Sequence, residues 1–111
     1  MRSTNHLVLR GRVGQTPRLF SGVAKVSIAT ERYATREGAR VVETDWVTVT
    51  ILNRAMAEWA AQHAKAGDEV YCECRVAEGS YQKDGRTLYT TEIIANVFDL
   101  YPIPRAAEVA S

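Results

Sequence analysis

Nearly the whole chain is patterned with a period of two residues, and one stretch only breaks to a helical period. In His6–Val13, Leu7, Leu9 and Val13 share one side while His6, Arg10 and Arg12 share the other. Ala24, Val26 and Ile28 form a second apolar side. Asp45–Leu52 alternates most cleanly, with Val47, Val49 and Ile51 inward and Trp46, Thr48, Thr50 and Leu52 outward. Val70, Cys72, Cys74 and Val76 repeat the pattern in a fourth run. A fifth run, Leu88–Leu100, is rich in β-branched and aromatic residues but loses strict alternation near Thr90-Thr91, where a bulge is expected. Such alternation needs strands with one buried and one solvated face.

The exception is Arg54–Ala66, where Met56, Trp59, Ala60 and His63 recur at helical spacing. Asn53 is a suitable N-cap, Lys65 suits the last turn and Gly67 the position just past the end. The pattern predicts one helix, with Trp59 in the core beside Met56. Thr30–Thr44 is a long charged connection, expected to be an extended hairpin. Asp84-Gly85 marks a tight hairpin turn. Pro102 and Pro104 stop the last strand. Three strands, a helix and two strands is the order of an oligonucleotide-binding (OB) barrel, although other small barrels and α+β sandwiches share it.

A length of 111 residues suits one domain that folds without disulfide or metal. The formal net charge is only +1, which excludes a strongly basic protein held to DNA by bulk charge; 46% hydrophobic and 24% charged residues exclude an acidic disordered chain. No apolar run approaches a membrane span and no signal peptide opens the chain, so the expected compartment is the cytoplasm. The charge is uneven: residues 1–54 hold nine basic groups against four acids, and residues 55–111 five against nine. A polarised molecule is expected if the fold keeps these groups on different faces.

Trp46 is the most informative residue. A large ring on the solvated side of a strand needs cover, which a loop, a second subunit or a stacked nucleic-acid base would supply. Tyr33 lies among Arg32, Arg36 and Arg40 in the long hairpin, and Tyr81 precedes Lys83 and Arg86 in the last one. Each cation alone reads as a solvated surface charge. Interleaved with aromatics on hairpins beside a barrel, they read as a stacking platform with phosphate contacts. Cys72 and Cys74, two apart on one strand face, are poorly placed for a disulfide, and His6 and His63 lack zinc spacing. They are expected to be reduced packing residues, with no metal and no cofactor. Gly11-Arg12-Val13-Gly14 matches a G-x-x-G loop but ends a strand, so a turn is expected there. No nucleotide, zinc-protease or nucleophile-elbow motif is present, and no catalysis is expected.

From about Asn5 to Leu100 the chain resembles the bacterial single-stranded-DNA-binding protein family. The resemblance lies in Leu9–Pro17, Ser27–Thr30, Thr44-Asp45-Trp46, Asn53–Glu58, Ala66–Tyr71, Asp84-Gly85-Arg86 and Tyr89–Glu92, in order and with compatible spacing. It implies an all-β fold, a five-stranded OB barrel with one α-helix between strands three and four, occupying residues 1–104 with a short flexible tail over 105–111. It also implies sequence-tolerant binding of single-stranded DNA in replication, recombination and repair, a homotetramer associated with the nucleoid, and contact with replication or repair proteins. The DNA-binding residues it implies together with the pattern are Trp46, Tyr33, Tyr81, Arg10, Arg12, Arg32, Arg36, Arg40, Arg54, Lys83 and Arg86. Leu52 stands where many members carry a stacking phenylalanine, and Glu78-Gly79-Ser80 where the family often has cations. Glu108-Val109-Ala110-Ser111 is not the family's acidic tip, so recruitment through such a tip is not expected. The other reading is an OB-fold interaction module of the primosome-assembly type, dimeric and with weak single-strand binding.

Overall fold

Alternation over long stretches produces long strands. The computed structural model describes residues 1–103, so the expected tail over 105–111 lies outside the described residues. The elements run β1 (Leu7–Val13), β2 (Arg18–Phe20), β3 (Val23–Arg36), β4 (Ala39–Ile51), α1 (Arg54–His63), β5 (Glu69–Lys83) and β6 (Arg86–Tyr101). They form one sheet in the order β1-β5-β6-β4-β3-β2, and pairing of β1 with β3 closes it. All ladders are antiparallel except β4 with β6, which run parallel at Val49↔Ile93 and Thr50↔Ile94. Five closed strands with a helix between the third and fourth of them make an OB fold, as expected. The short β2 is an addition on the free edge of β3 that the alternation did not reveal.

The barrel interior is built from the predicted inward residues. Val13, Ala24, Val26, Ile28, Val49, Ile51, Val70, Cys72 and Cys74 are buried together with Phe98. Closure brings β1 tightly against β3, and a side chain at Gly11 would run into the carbonyl of Ala29. Three hairpins turn on two-residue left-handed pairs, Ser21-Gly22, Glu37-Gly38 and Asp84-Gly85. The expected long connection Thr30–Thr44 is therefore ladder almost throughout, paired from Thr30↔Asp45 to Arg36↔Ala39. With β5–β6 it gives the barrel two long two-stranded arms.

Four sequence expectations need correction. The helix ends at His63, with Ala64 already extended, so Lys65 lies beyond it. Gly67, at φ +91°, belongs to the following turn, where its N–H donates to the Val13 carbonyl at 2.7 Å. Trp59 is not core: it is 43% exposed and stacks on His63 with ring centroids 4.9 Å apart. The helix buries Ala57 and Ala60 instead, with Ala64 buried just past its end, because small residues let its backbone sit close to the barrel. The irregularity in β6 falls at Asn96, opposite the Glu73/Cys74 step, and not at Thr90-Thr91, which pair regularly with Gly79 and Glu78. Thr50 points outward yet is only 3% exposed, lying beneath Lys25, whose Nζ reaches its Oγ1 at 3.5 Å.

Asn53 caps the helix as expected, its side chain accepting from the Met56 N–H at 2.9 Å. The buried Asp68 carboxylate accepts from the backbone of Lys65 and Ile103, at 3.0 and 3.4 Å. It thereby fastens the turn after α1 to the end of β6.

Candidate nucleic-acid interface

Residues directly paired on neighbouring strands project to the same side of a sheet. Val26↔Val49 and Ile28↔Val47 face the core, so Ala29↔Trp46, Tyr33↔Val42 and Thr35↔Arg40 face outward. Thr50↔Ile94 carries that outer face from β4 to β6. Ile94↔Arg75, Leu88↔Tyr81 and Arg86↔Lys83 carry it on to β5. The register therefore puts Trp46, Tyr33 and Tyr81 on one outer face that spans both arms. Their exposures are 62%, 68% and 50%, so each offers a ring to solvent.

Each ring has a different support. The Trp46 indole lies across Gly14: a Cβ at Gly14 would sit 2.5 Å from Cζ3 and 3.1 Å from Cη2. Gly14 itself is held against β3, its N–H donating to the Ser27 carbonyl at 2.8 Å. The paired glycines of Gly11-Arg12-Val13-Gly14 thus serve close packing, one against a backbone and one under an indole. Tyr33 is covered on one side by Arg40, whose guanidinium carbon is 3.9 Å from the ring centroid. That contact steadies the phenol and keeps a positive charge at the edge of any base stacked on its free side. Tyr81 stands three residues before the Asp84-Gly85 turn, with Lys83 and Arg86 paired beside it on the same face.

The cations divide into two sets. Arg12, Arg40, Lys83 and Arg86 share the aromatic face and form no ion pair among the described residues. Arg12 lies in the same lateral row as Ala29 and Trp46, and its Nη1 donates to the Gly67 carbonyl at 3.0 Å. The second set is engaged with carboxylates. Arg10 bonds Glu69, with Nε to Oε1 at 2.7 Å, and that hydrogen bond raises its already high pKa. Arg32 bonds Asp45 at 2.8 Å and Glu43 at 3.3 Å, and its pKa is likewise raised, first by the Asp45 hydrogen bond. Arg36 bonds Glu43 at 2.6 Å, and Arg54 bonds Glu58 at 3.3 Å. Arg32 and Arg36 also alternate to the side of the ribbon away from Tyr33. The sequence grouped Arg32, Arg36 and Arg40 around Tyr33, and the structure brings only Arg40 to it. The uneven charge along the chain is partly evened out in space, since Glu69 and Glu92 from the acidic half reach Arg10 and Lys25.

Sequence reasoning missed Arg18, Phe20 and Arg75 on this face. The Ser21-Gly22 dipeptide after Arg18-Leu19-Phe20 was the available signal for a hairpin there. The thiols offer no nucleophile: both are buried and unbridged, and burial pushes Cys72 up to about 12 and raises Cys74 as well. Among the described residues no group of three His, Cys, Asp or Glu is placed to hold a metal ion. No helix among them is long and apolar enough to cross a membrane.

Comparison with known proteins agrees with this geometry. The model of the single-strand binding protein family matches residues 4–101. A Neisseria meningitidis protein named single-stranded DNA-binding protein is 40% identical over 103 residues, covering 85% of this chain and 58% of its own length. This chain thus spans little more than half of that relative. Among solved structures, a Plasmodium falciparum SSB in complex with ssDNA superposes with a TM-score of 0.70 at 24% identity, covering 94% of this chain and 98% of that one. A deletion mutant of the single-stranded DNA-binding protein from Thermus aquaticus gives 0.71 at 22% identity, covering 87% and 50%. At those identities the structures speak for the shared fold, and the match over residues 4–101 speaks for the lineage: the chain belongs to the single-strand binding protein family.

Proposed function

We propose that this protein binds single-stranded DNA with little regard to sequence, stacking bases on Trp46, Tyr33 and Tyr81 and holding phosphates with Arg12, Arg40, Lys83 and Arg86. The observation that carries the reading is the placement of three exposed rings on one face with cations free of carboxylate partners beside them. Every base has a π-face, so a platform of rings is tolerant of sequence, at roughly 1–3 kcal/mol per stacked base. The name of the Neisseria relative and the DNA-bound Plasmodium structure support the same reading. Arg10, Arg32, Arg36 and Arg54 reach phosphates in this scheme only by releasing their carboxylates, so they are secondary contacts.

The cellular role that fits is protection of single strands during replication, recombination and repair, in the cytoplasm at the nucleoid. A homotetramer fits the exposed Val8 and Tyr101, apolar side chains on strands at the barrel surface. Titration with polydeoxythymidine tests the binding: intrinsic tryptophan fluorescence should be quenched, and less strongly as salt rises. Absence of quenching and of labelled-oligonucleotide binding at low salt and micromolar protein would overturn it. Light scattering tests the assembly, where a mass near 12.3 kDa would exclude one.

A further inference from the structure

We propose that the β2–β3 hairpin carries a fourth base-stacking platform, Phe20, flanked by Arg18 and Lys25, which lengthens the single-strand path beyond Trp46. This rests on the DNA-binding reading above and extends it to an element with no part in that scheme.

Phe20 is 81% exposed, more than any other Phe, Tyr or Trp among the described residues. It ends a three-residue strand whose only ladder is with β3, so nothing in the fold requires an aromatic there. Its direct partner is Val23, and Arg18 pairs with Lys25. Both pairs lie on the outer face already defined by Lys25↔Thr50 and Ala29↔Trp46. A lateral row on that face runs Arg75, Ile94, Thr50, Lys25 and Arg18 from β5 to β2. Three of its five members are cations, and the row ends two residues from Phe20.

The ring borders an open depression of about 650 Å³ lined by Arg18, Leu19, Phe20, Ser21, Val23 and Lys25. No carboxylate is among these. Glu92 approaches Lys25 from the β6 side at 3.9 Å. Arg54 packs against the turn, its Cγ 3.2 Å from where a Gly22 side chain would begin. An apolar ring set among cations complements a polyanion carrying flat bases better than it complements another protein surface. Val23 lies six residues along β3 from Ala29, so Phe20 stands roughly 20 Å along the strand from Trp46 and about two strand spacings across. That separation suits a site of about 4–16 nucleotides on one OB fold.

The exposed ring can be changed without touching the core. Phe20→Ala and Phe20→Leu should leave thermal unfolding unchanged and weaken binding of long deoxythymidine oligomers by roughly 5- to 150-fold, the range of one stacked base. The deficit should shrink for oligomers too short to extend past Trp46. Phe20→Tyr should restore most of the affinity. In a Trp46→Phe background, Phe20→Trp should introduce fluorescence that long oligomers quench. If the wild-type protein binds labelled oligonucleotide but Phe20→Ala binds equally well at every length and the introduced tryptophan is not quenched, the inference fails and the DNA-binding reading stands. If Phe20→Ala instead changes only the mass seen by light scattering, the ring is a subunit contact and the inference is again overturned. If the wild-type protein binds no oligonucleotide, the DNA-binding reading itself falls.

Discussion

Gly14→Ala isolates the seat of Trp46 from the indole itself. The added methyl would begin 2.5 Å from Cζ3, whereas carbon atoms in contact sit about 3.5–4.0 Å apart, so the ring must retreat by about 1 Å or more. The backbone at Gly14 is not in the left-handed region, so alanine is tolerated there, and the N–H bond to Ser27 remains available. With 62% of Trp46 exposed, the ring can swing outward and β1 need not move. Displacement from its rotamer costs about 0.5–1.5 kcal/mol, and the stiffer unfolded chain returns about 0.4–1 kcal/mol. Stability should therefore change by less than about 1 kcal/mol. Binding should weaken by about 1 kcal/mol, or fivefold, because the indole loses the floor that holds it for stacking. Anisotropy of a labelled deoxythymidine oligomer measures this for Gly14→Ala, Trp46→Ala and the double variant. If Gly14 acts through the indole, its substitution has no further effect once Trp46 is alanine. An equal fivefold loss in both backgrounds would refute the reasoning, as would a large fall in unfolding temperature.

Other outcomes follow from the same contacts. Replacing Arg12 or Lys83 with alanine should reduce the salt dependence of binding by about 0.7 in the slope of log affinity against log salt, and Arg36→Ala should leave that slope unchanged because Glu43 already holds Arg36; equal slopes in all three would contradict the division of cations. The Cys72 thiol, held neutral by burial up to about pH 12, favours the folded state increasingly less as pH rises above the unfolded thiol's value near 8.5, since only the unfolded chain then loses the proton. Urea unfolding at pH 10 should show about 1–2 kcal/mol less stability than at pH 8, and a Cys72→Ala/Cys74→Ala protein should lose that part of the dependence.

The barrel was legible because period two is unambiguous where it persists. Val47, Val49 and Ile51, or Val70, Cys72 and Cys74, can take one orientation only if the apolar side is to be buried. The helix was legible in existence and start, because Asn53 is a cap wherever the chain begins to coil. Its buried face was legible only at Ala60: size and hydrophobicity favoured Trp59, whereas close approach to the barrel selected Ala57 beside Ala60. The bulge at Asn96 escaped because one extra residue can be absorbed anywhere that the partner strand continues. For the site, sequence proximity placed aromatics well and cations poorly. Trp46 reads outward from its own strand alone. Whether an arginine is available depends on what lies beside it, and Glu69 stands 59 residues from Arg10.

That difference bears on how a nearly neutral domain can hold a polyanion at all. Ion pairs such as Arg10–Glu69 and Arg32–Asp45 are exposed and contribute little to stability. Their effect in the proposed scheme is on availability: a guanidinium already bonded to a carboxylate neutralises no phosphate until that bond is given up. The pairing concentrates the remaining positive charge on the face where the rings stand, at Arg12, Arg40, Lys83 and Arg86, and leaves the reverse of the β3–β4 arm balanced by Glu43 and Asp45. A strand approaching from the wrong side meets carboxylates as well as arginines. A strand approaching the aromatic side meets unpaired cations and exposed π-faces together, with Glu31 and Glu92 the carboxylates on that side of the two arms. Orientation in this scheme thus comes from which cations the acids engage, Arg32 and Arg36 on the reverse side, and which they leave unpaired. The net charge of +1 is the sum of unpaired cations on the ring-bearing face and an excess of acid over base in the rest of the chain.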